Sequence, residues 1–163
     1  MQGKNKQLLR YLDAPIRRLA AKKYSGLILG PRQVGKTTLV RNILKDAENK
    51  IEYFLQNPSV RQEIEADPSR IIRQAEAFGG NPVIFVDEAQ KVPEIFDSAQ
   101  FLIDKKEASF ILTGSSARKL KRSGVNLLPG RIKRFYLDPL LWGELGLLKE
   151  DKGAIRDLAM ENI

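Results

Sequence analysis

The sequence contains no cysteine and no histidine. That excludes disulfide frameworks, Cys/His zinc sites, thiol nucleophiles and every catalytic triad built on an imidazole base. Chemistry in this chain must come from carboxylates, lysines, arginines, hydroxyls and metal ions held by oxygen. Aromatic residues are also sparse, at 7%. Long apolar runs are missing. The densest, Val83 to Val86, is four residues long, against the ~20 that a membrane-spanning helix needs. Residues 1–24 carry seven Lys or Arg, the single acid Asp13 and no serine. With no apolar h-region either, this segment reads as part of the domain and not as a targeting peptide.

What is present is a chain of 163 residues, 42% hydrophobic and 29% charged, the composition of one soluble folded domain. A domain of this length buries roughly 70% of the surface its unfolded chain exposes. Its net charge of +8 leans toward polyanionic partners such as nucleotides or nucleic acid. The lack of cysteine suits the cytoplasm.

Leu8, Leu9, Leu12, Ile16, Leu19 and Ala20 recur at helical spacing, with Asp13-Ala14-Pro15 able to cap and restart a helix within the run. Short apolar strands are expected at 26–29, 51–55, 82–86, 110–113 and 132–137. Helical segments fall between them: one opening at Lys36, one over 59–78 with a restart at Asp67-Pro68, and one over 93–104. Residues 118–130 read as a loop or short helix. Apolar strands alternating with helices predict a parallel sheet covered by helices on both faces.

The string Gly30-Pro31-Arg32-Gln33-Val34-Gly35-Lys36-Thr37 fits G-x-x-x-x-G-K-[ST]. Chance supplies such a match in about one chain of this size in a hundred. Glycines allow a tight turn whose backbone N–H groups cradle phosphate oxygens, and the helix opening at Lys36 aims its positive end at the same anion. Lys36 can reach the β- and γ-phosphates, and the Thr37 hydroxyl can ligate Mg²⁺.

A second element is the apolar strand 83–86 followed by Asp87-Glu88-Ala89-Gln90. Two acids leaving a buried strand stand at the carboxyl edge of the sheet, where open α/β folds bind ligands. Asp87 is expected to hold the Mg²⁺ and Glu88 to activate water as general base. A third element, Thr113-Gly114-Ser115-Ser116, ends another strand with hydroxyls that can orient water or sense the γ-phosphate. Ser115 is preferred over Ser116, and a plain strand exit is the alternative. Arg131, after Pro129-Gly130, is a candidate to neutralise charge on the γ-phosphate, in its own subunit or a neighbour's, or else an ordinary surface ion pair. Residues 115–134 hold seven Lys or Arg and no acid: Arg118, Lys119, Lys121, Arg122, Arg131, Lys133 and Arg134. This is either a solvated basic face or a track for a nucleic-acid backbone. Trp142 reads as a core or docking residue.

Together GPRQVGKTTL, IFVDEAQKVPEIF, FILTGSS and PGR followed by DPLLWGEL resemble the prokaryotic AAA+-type P-loop ATPases. Chains of that group usually continue into a C-terminal domain of nuclease-like fold. The resemblance covers residues 10–145 and implies a three-layer α/β/α P-loop NTPase fold with a central parallel sheet. It implies ATP and Mg²⁺ as ligands, Gly30 to Thr38 as Walker A, Asp87-Glu88 as Walker B, Ser115 near sensor 1, and Arg131 as a finger or sensor. The sequence departs from the group at Gln56-Asn57-Pro58, where acids usually end the second strand; an amide there could restrain Glu88. The expected organisation is a helical segment over 1–24, a P-loop ATPase core over 25–145, and a tail over 146–163 that begins a further C-terminal region.

Mg²⁺-dependent hydrolysis of ATP is the leading expectation, with Glu88, Lys36, Arg131 and Ser115 as the catalytic set. ATP is favoured over GTP because no N-K-x-D follows the P-loop. The alternatives are a nucleotide-gated switch with little intrinsic hydrolysis, a small-molecule kinase, and a nucleic-acid-stimulated ATPase. A second copy of the chain or the C-terminal region is the expected partner, and no membrane is.

Overall fold

The computed structural model describes residues 10–115, 127–141 and 143–144. Five strands form one sheet: β1 Ser25–Leu29, β2 Lys50–Phe54, β3 Val83–Asp87, β4 Ser109–Gly114 and β5 Ile132–Tyr136. Each falls within one residue of the ends expected from the sequence. Five helices flank them: α1 Asp13–Ala21, α2 Lys36–Ile43, α3 Pro58–Ala66, α4 Arg70–Phe78 and α5 Ile95–Asp104, with a 3₁₀ turn at Ala89–Lys91. The strand order is β2-β3-β4-β1-β5, and every neighbouring pair is parallel.

The apolar runs explain why β1, β3 and β4 are central. All of their residues are buried, because successive side chains point to opposite faces and both faces are covered. On one face Leu27, Leu29, Ile84, Val86, Phe110 and Leu112 pack under α3, α4 and α5. On the other Ile28, Val83, Phe85 and Ile111 meet Ile16 and Leu19 of α1 and Leu39, Val40 and Ile43 of α2. The result is a three-layer α/β/α sandwich. β5 bonds only to β1 and exposes Lys133, Arg134 and Tyr136, as suits an edge strand.

Local signals set the helix limits. Asn57 Oδ1 accepts from Ser59 N at 3.0 Å and Pro58 opens α3, while Asp67-Pro68 separates α3 from α4. Gly79, at φ +69°, ends α4.

Tyr53 of β2 is buried, and its hydroxyl donates to Gln74 of α4. Burial pushes its phenol up to about 12, partly opposed by Arg70. Below pH 10 it is protonated both folded and unfolded. Between about pH 10 and 12 the unfolded chain loses that proton first, so stability falls as pH rises through this window. Denaturant titrations across that range should show a shallower alkaline loss for Tyr53→Phe than for the parent; equal slopes would contradict this.

Candidate functional site

At the carboxyl end of β1 the chain turns through Gly30–Gly35 into α2. Gly30 N donates to Gly114 O at 3.3 Å. A Cβ at Gly30 would overlap the carbonyl oxygen of Leu137 and stand 3.1 Å from its carbon, so only glycine fits. Gln33 at φ +65° and Gly35 at φ +94° bend the loop through the left-handed region. Pro31, Arg32, Gln33 and Thr38 are exposed and Val34 is half-buried. Lys36 is buried, and its Nζ donates to Gly30 O at 2.8 Å and Pro31 O at 2.6 Å, inside its own loop. Burial holds the Lys36 ammonium below its usual pKa; Glu88 and Asp87 pull the other way, and Arg32 adds to the lowering.

The strand order brings three sequence motifs side by side, because β4 lies between β1 and β3. Asp87 Oδ1 accepts from Thr37 Oγ1 at 2.7 Å and from Thr113 Oγ1 at 2.7 Å. Thr113 in turn accepts from Glu88 N at 3.0 Å. Glu88 is buried and holds φ +59°, ψ +47°, an unfavourable backbone for a residue with a Cβ. Its carboxylate accepts from Gln90 Nε2, which also donates to Ser115 Oγ at 3.3 Å.

The Thr113 hydroxyl is fully buried and serves both acids. Thr113→Val keeps the shape but strands the Glu88 N–H and removes one donor from Asp87. We expect a loss of about 1–3 kcal/mol in urea or guanidinium unfolding; a change under 0.5 kcal/mol would show that this hydroxyl is dispensable.

Lys36, Thr37, Asp87 and Glu88 thus gather at one edge of the sheet, with Ser115 joined to Glu88 through Gln90. Arg131 is not among them. β5 runs parallel to β1 with Ile132 opposite Ser25, so Arg131 stands at the amino edge, about 17 Å of strand away from the P-loop. There its Nε donates to Asp104 Oδ1 at 2.5 Å, with both side chains exposed. This geometry does not fit action on its own subunit's phosphate. Neither amide of Gln56-Asn57 restrains Glu88, since Gln56 is exposed and the Asn57 side-chain oxygen caps α3. Ser116, Arg118, Lys119, Lys121, Arg122, Trp142 and the segments 1–9 and 145–163 lie outside the described residues.

Three features escaped sequence reasoning. Thr113 and Gln90 carry no signal of their own along the chain beyond the strings that contain them. The third is a clasp over the loop: Arg10 Nη1 donates to Val34 O at 2.8 Å, while its Nε meets Glu144 Oε2 at 3.0 Å. Glu144 also accepts from Tyr11 N at 2.9 Å and Leu141 N at 3.0 Å.

The oxygen donors suit a hard cation. Thr37 and Asp87 supply two, and no cluster of three acidic ligands exists among the described residues. An ion here would draw its other ligands from phosphate and water, as Mg²⁺ does.

A parallel α/β/α sheet whose first strand runs through a Gly-rich turn into a helix with Lys-Thr, facing an acid at the end of β3, is a P-loop NTPase fold. Residues 22–146 match the family model of the AAA domain, and the chain belongs to that family. Uncharacterized proteins of Mycobacterium bovis and Mycobacterium tuberculosis are each 31% identical over 129 residues, covering 77% of this chain and 27% of theirs. The chain therefore spans about a quarter of the length of these curated relatives. Among solved structures, the Walker-type ATPase PABY2304 of Pyrococcus abyssi superposes with TM-score 0.56 at 15% identity, over 96% of this chain and 64% of that one. A Pif1 helicase, from a study of DNA unwinding at forked double-stranded DNA, gives TM-score 0.56 at 11% identity over 83% of this chain and 45% of its own. These two are likenesses of fold. Among the described residues no helix is long and apolar enough to cross a membrane.

Proposed function

We propose that this chain binds ATP with Mg²⁺ and hydrolyses it to ADP and phosphate, in the cytoplasm, with residues 25–145 as the ATPase core. The observation that carries this reading is the 2.7 Å contact between Thr37 and Asp87, with Lys36 buried in the loop and Glu88 next in sequence. The N–H groups from Arg32 to Thr38, at the opening of α2, would receive the phosphates, since Pro31 has none and that of Gly30 is given to Gly114 O. Lys36, whose charge is disfavoured by burial, gains from an anion at that seat. Thr37 and Asp87 would hold the Mg²⁺, which when bound neutralises charge on the β- and γ-phosphate oxygens. Glu88 takes the proton of a water as its oxygen bonds to the γ-phosphorus, and the bond to the β–γ bridging oxygen breaks to release ADP. Ser115 supports this step from the end of β4.

The position of Arg131 favours a second reading, a nucleotide-gated switch with little hydrolysis by the isolated chain. Its guanidinium would serve a neighbouring copy, or another part of the protein would supply the missing charge. Exposed Lys133 and Arg134 on β5 leave room for a nucleic-acid backbone as a further partner, which a binding titration at two salt concentrations tests.

Phosphate release and labelled-ATP binding measured over a range of protein concentrations separate the two readings. Hydrolysis assisted in trans predicts specific activity that rises with concentration. Binding without turnover at any concentration supports the switch, and no binding at all refutes both.

A further inference from the structure

We propose that Gln90 is a positioning residue for Glu88, an inference that rests on Glu88 being the general base. A carboxylate can only accept hydrogen bonds, so the amide nitrogen of Gln90 must face it. With Nε2 committed to Glu88 and to the Ser115 hydroxyl at 3.3 Å, the Gln90 carbonyl oxygen is turned away. That oxygen is buried and meets no donor among the described residues. Among the described residues, one end of this polar side chain is thus without a donor while its other end spans two groups of the site. Such an arrangement is unfavourable for stability alone, where a small apolar residue would do.

What the amide does instead is mechanical. Glu88 sits in a left-handed backbone held by Thr113, and its side chain needs a second anchor to keep one rotamer. Gln90 supplies that anchor two residues along, on the 3₁₀ turn Ala89–Lys91, and ties it to the end of β4 through Ser115. Glu88 Oε2 is occupied by the amide, which leaves the other carboxylate oxygen to take the proton from water. The β3 end and the β4 end are thereby joined through Gln90 as well as through Thr113. A displacement of Ser115 is passed to the base by one shared amide.

The test is a set of variants assayed for single-turnover hydrolysis and, separately, for ATP affinity and thermal unfolding. Gln90→Met removes the donor at similar volume, and Gln90→Glu keeps the shape while replacing the donor with a charge that repels Glu88. Both should lower kcat on the order of 10- to 100-fold with ATP affinity within about twofold of the parent. Added to Glu88→Gln, Gln90→Met should cause no further loss, because a residue acting through Glu88 has nothing left to position. A parental kcat in Gln90→Met, or losses that multiply in the double variant, overturns the proposal while leaving the general-base reading intact. Full turnover in Glu88→Gln overturns that reading first, and this one with it. If Gln90→Met fails to fold, Gln90→Glu decides by the same two numbers.

Discussion

A Glu88→Gln variant is expected to keep ATP bound and to release phosphate on the order of 10²- to 10⁴-fold more slowly than the parent, the usual contribution of a positioned general base. The substitution is nearly isosteric. A glutamine here can turn its carbonyl toward Gln90, so the contact to Nε2 and the backbone bond from Glu88 N to Thr113 survive. Lys36, Thr37 and the loop are untouched, which is why binding should persist. What disappears is a carboxylate able to take the proton of the attacking water. Turnover at the parental rate with intact binding would mean that another group, or water alone, takes the proton. Loss of binding along with turnover would mean that Glu88 matters chiefly for the electrostatic setting of Lys36, whose pKa it raises.

The second large effect is expected from Gly30→Ala. The added methyl meets backbone, not a flexible side chain: the carbonyl of Leu137, which follows β5 and whose own N–H is fixed to Leu29 O at 2.7 Å. Neither partner can swing away. The loop must shift off β1 or β5 must detach at its carboxyl end, and both weaken the pairing of Leu29 with Tyr136. Forced overpacking of this kind costs about 1–3 kcal/mol or somewhat more, which for a chain of this size lowers Tm by roughly 4–10 °C. Thermal unfolding measures it. A Tm within about 1 °C of the parent would show that the loop and the chain after β5 are looser than the contact implies.

Sequence and structure agree where the signal is local. The P-loop string needs only a strand before it and a helix after it, and β1 and α2 lie at those positions. Asp87 and Glu88 are legible because a buried strand points its last residues at the carboxyl edge. Thr113 was hidden because nothing along the chain says that β4 lies between β1 and β3, the one fact that puts its hydroxyl against Asp87. The sequence points to Gln56-Asn57, at the end of β2, for an amide at Glu88; the turn after β3 supplies it from two residues away. Arg131 carried a clue that was available: in a parallel sheet the first residue of a strand stands at the edge opposite a loop that leaves the end of its neighbour. Arg10 and Glu144 left no trace, being 134 positions apart and joined only by the folded chain.

The pairing of β1 has a consequence for how the chain is made. β1 carries the P-loop, yet it bonds only to β4 and β5, and β4 begins some 80 residues after β1 ends. At about 5–20 residues per second, a ribosome needs roughly 4–16 s to supply the first neighbour. During that interval the Gly-rich loop has no strand to turn from, while β2 and β3, 28 residues apart, can already meet. Formation of the phosphate seat is therefore a late event in the life of the nascent chain, completed when β4 slides between two strands made before it.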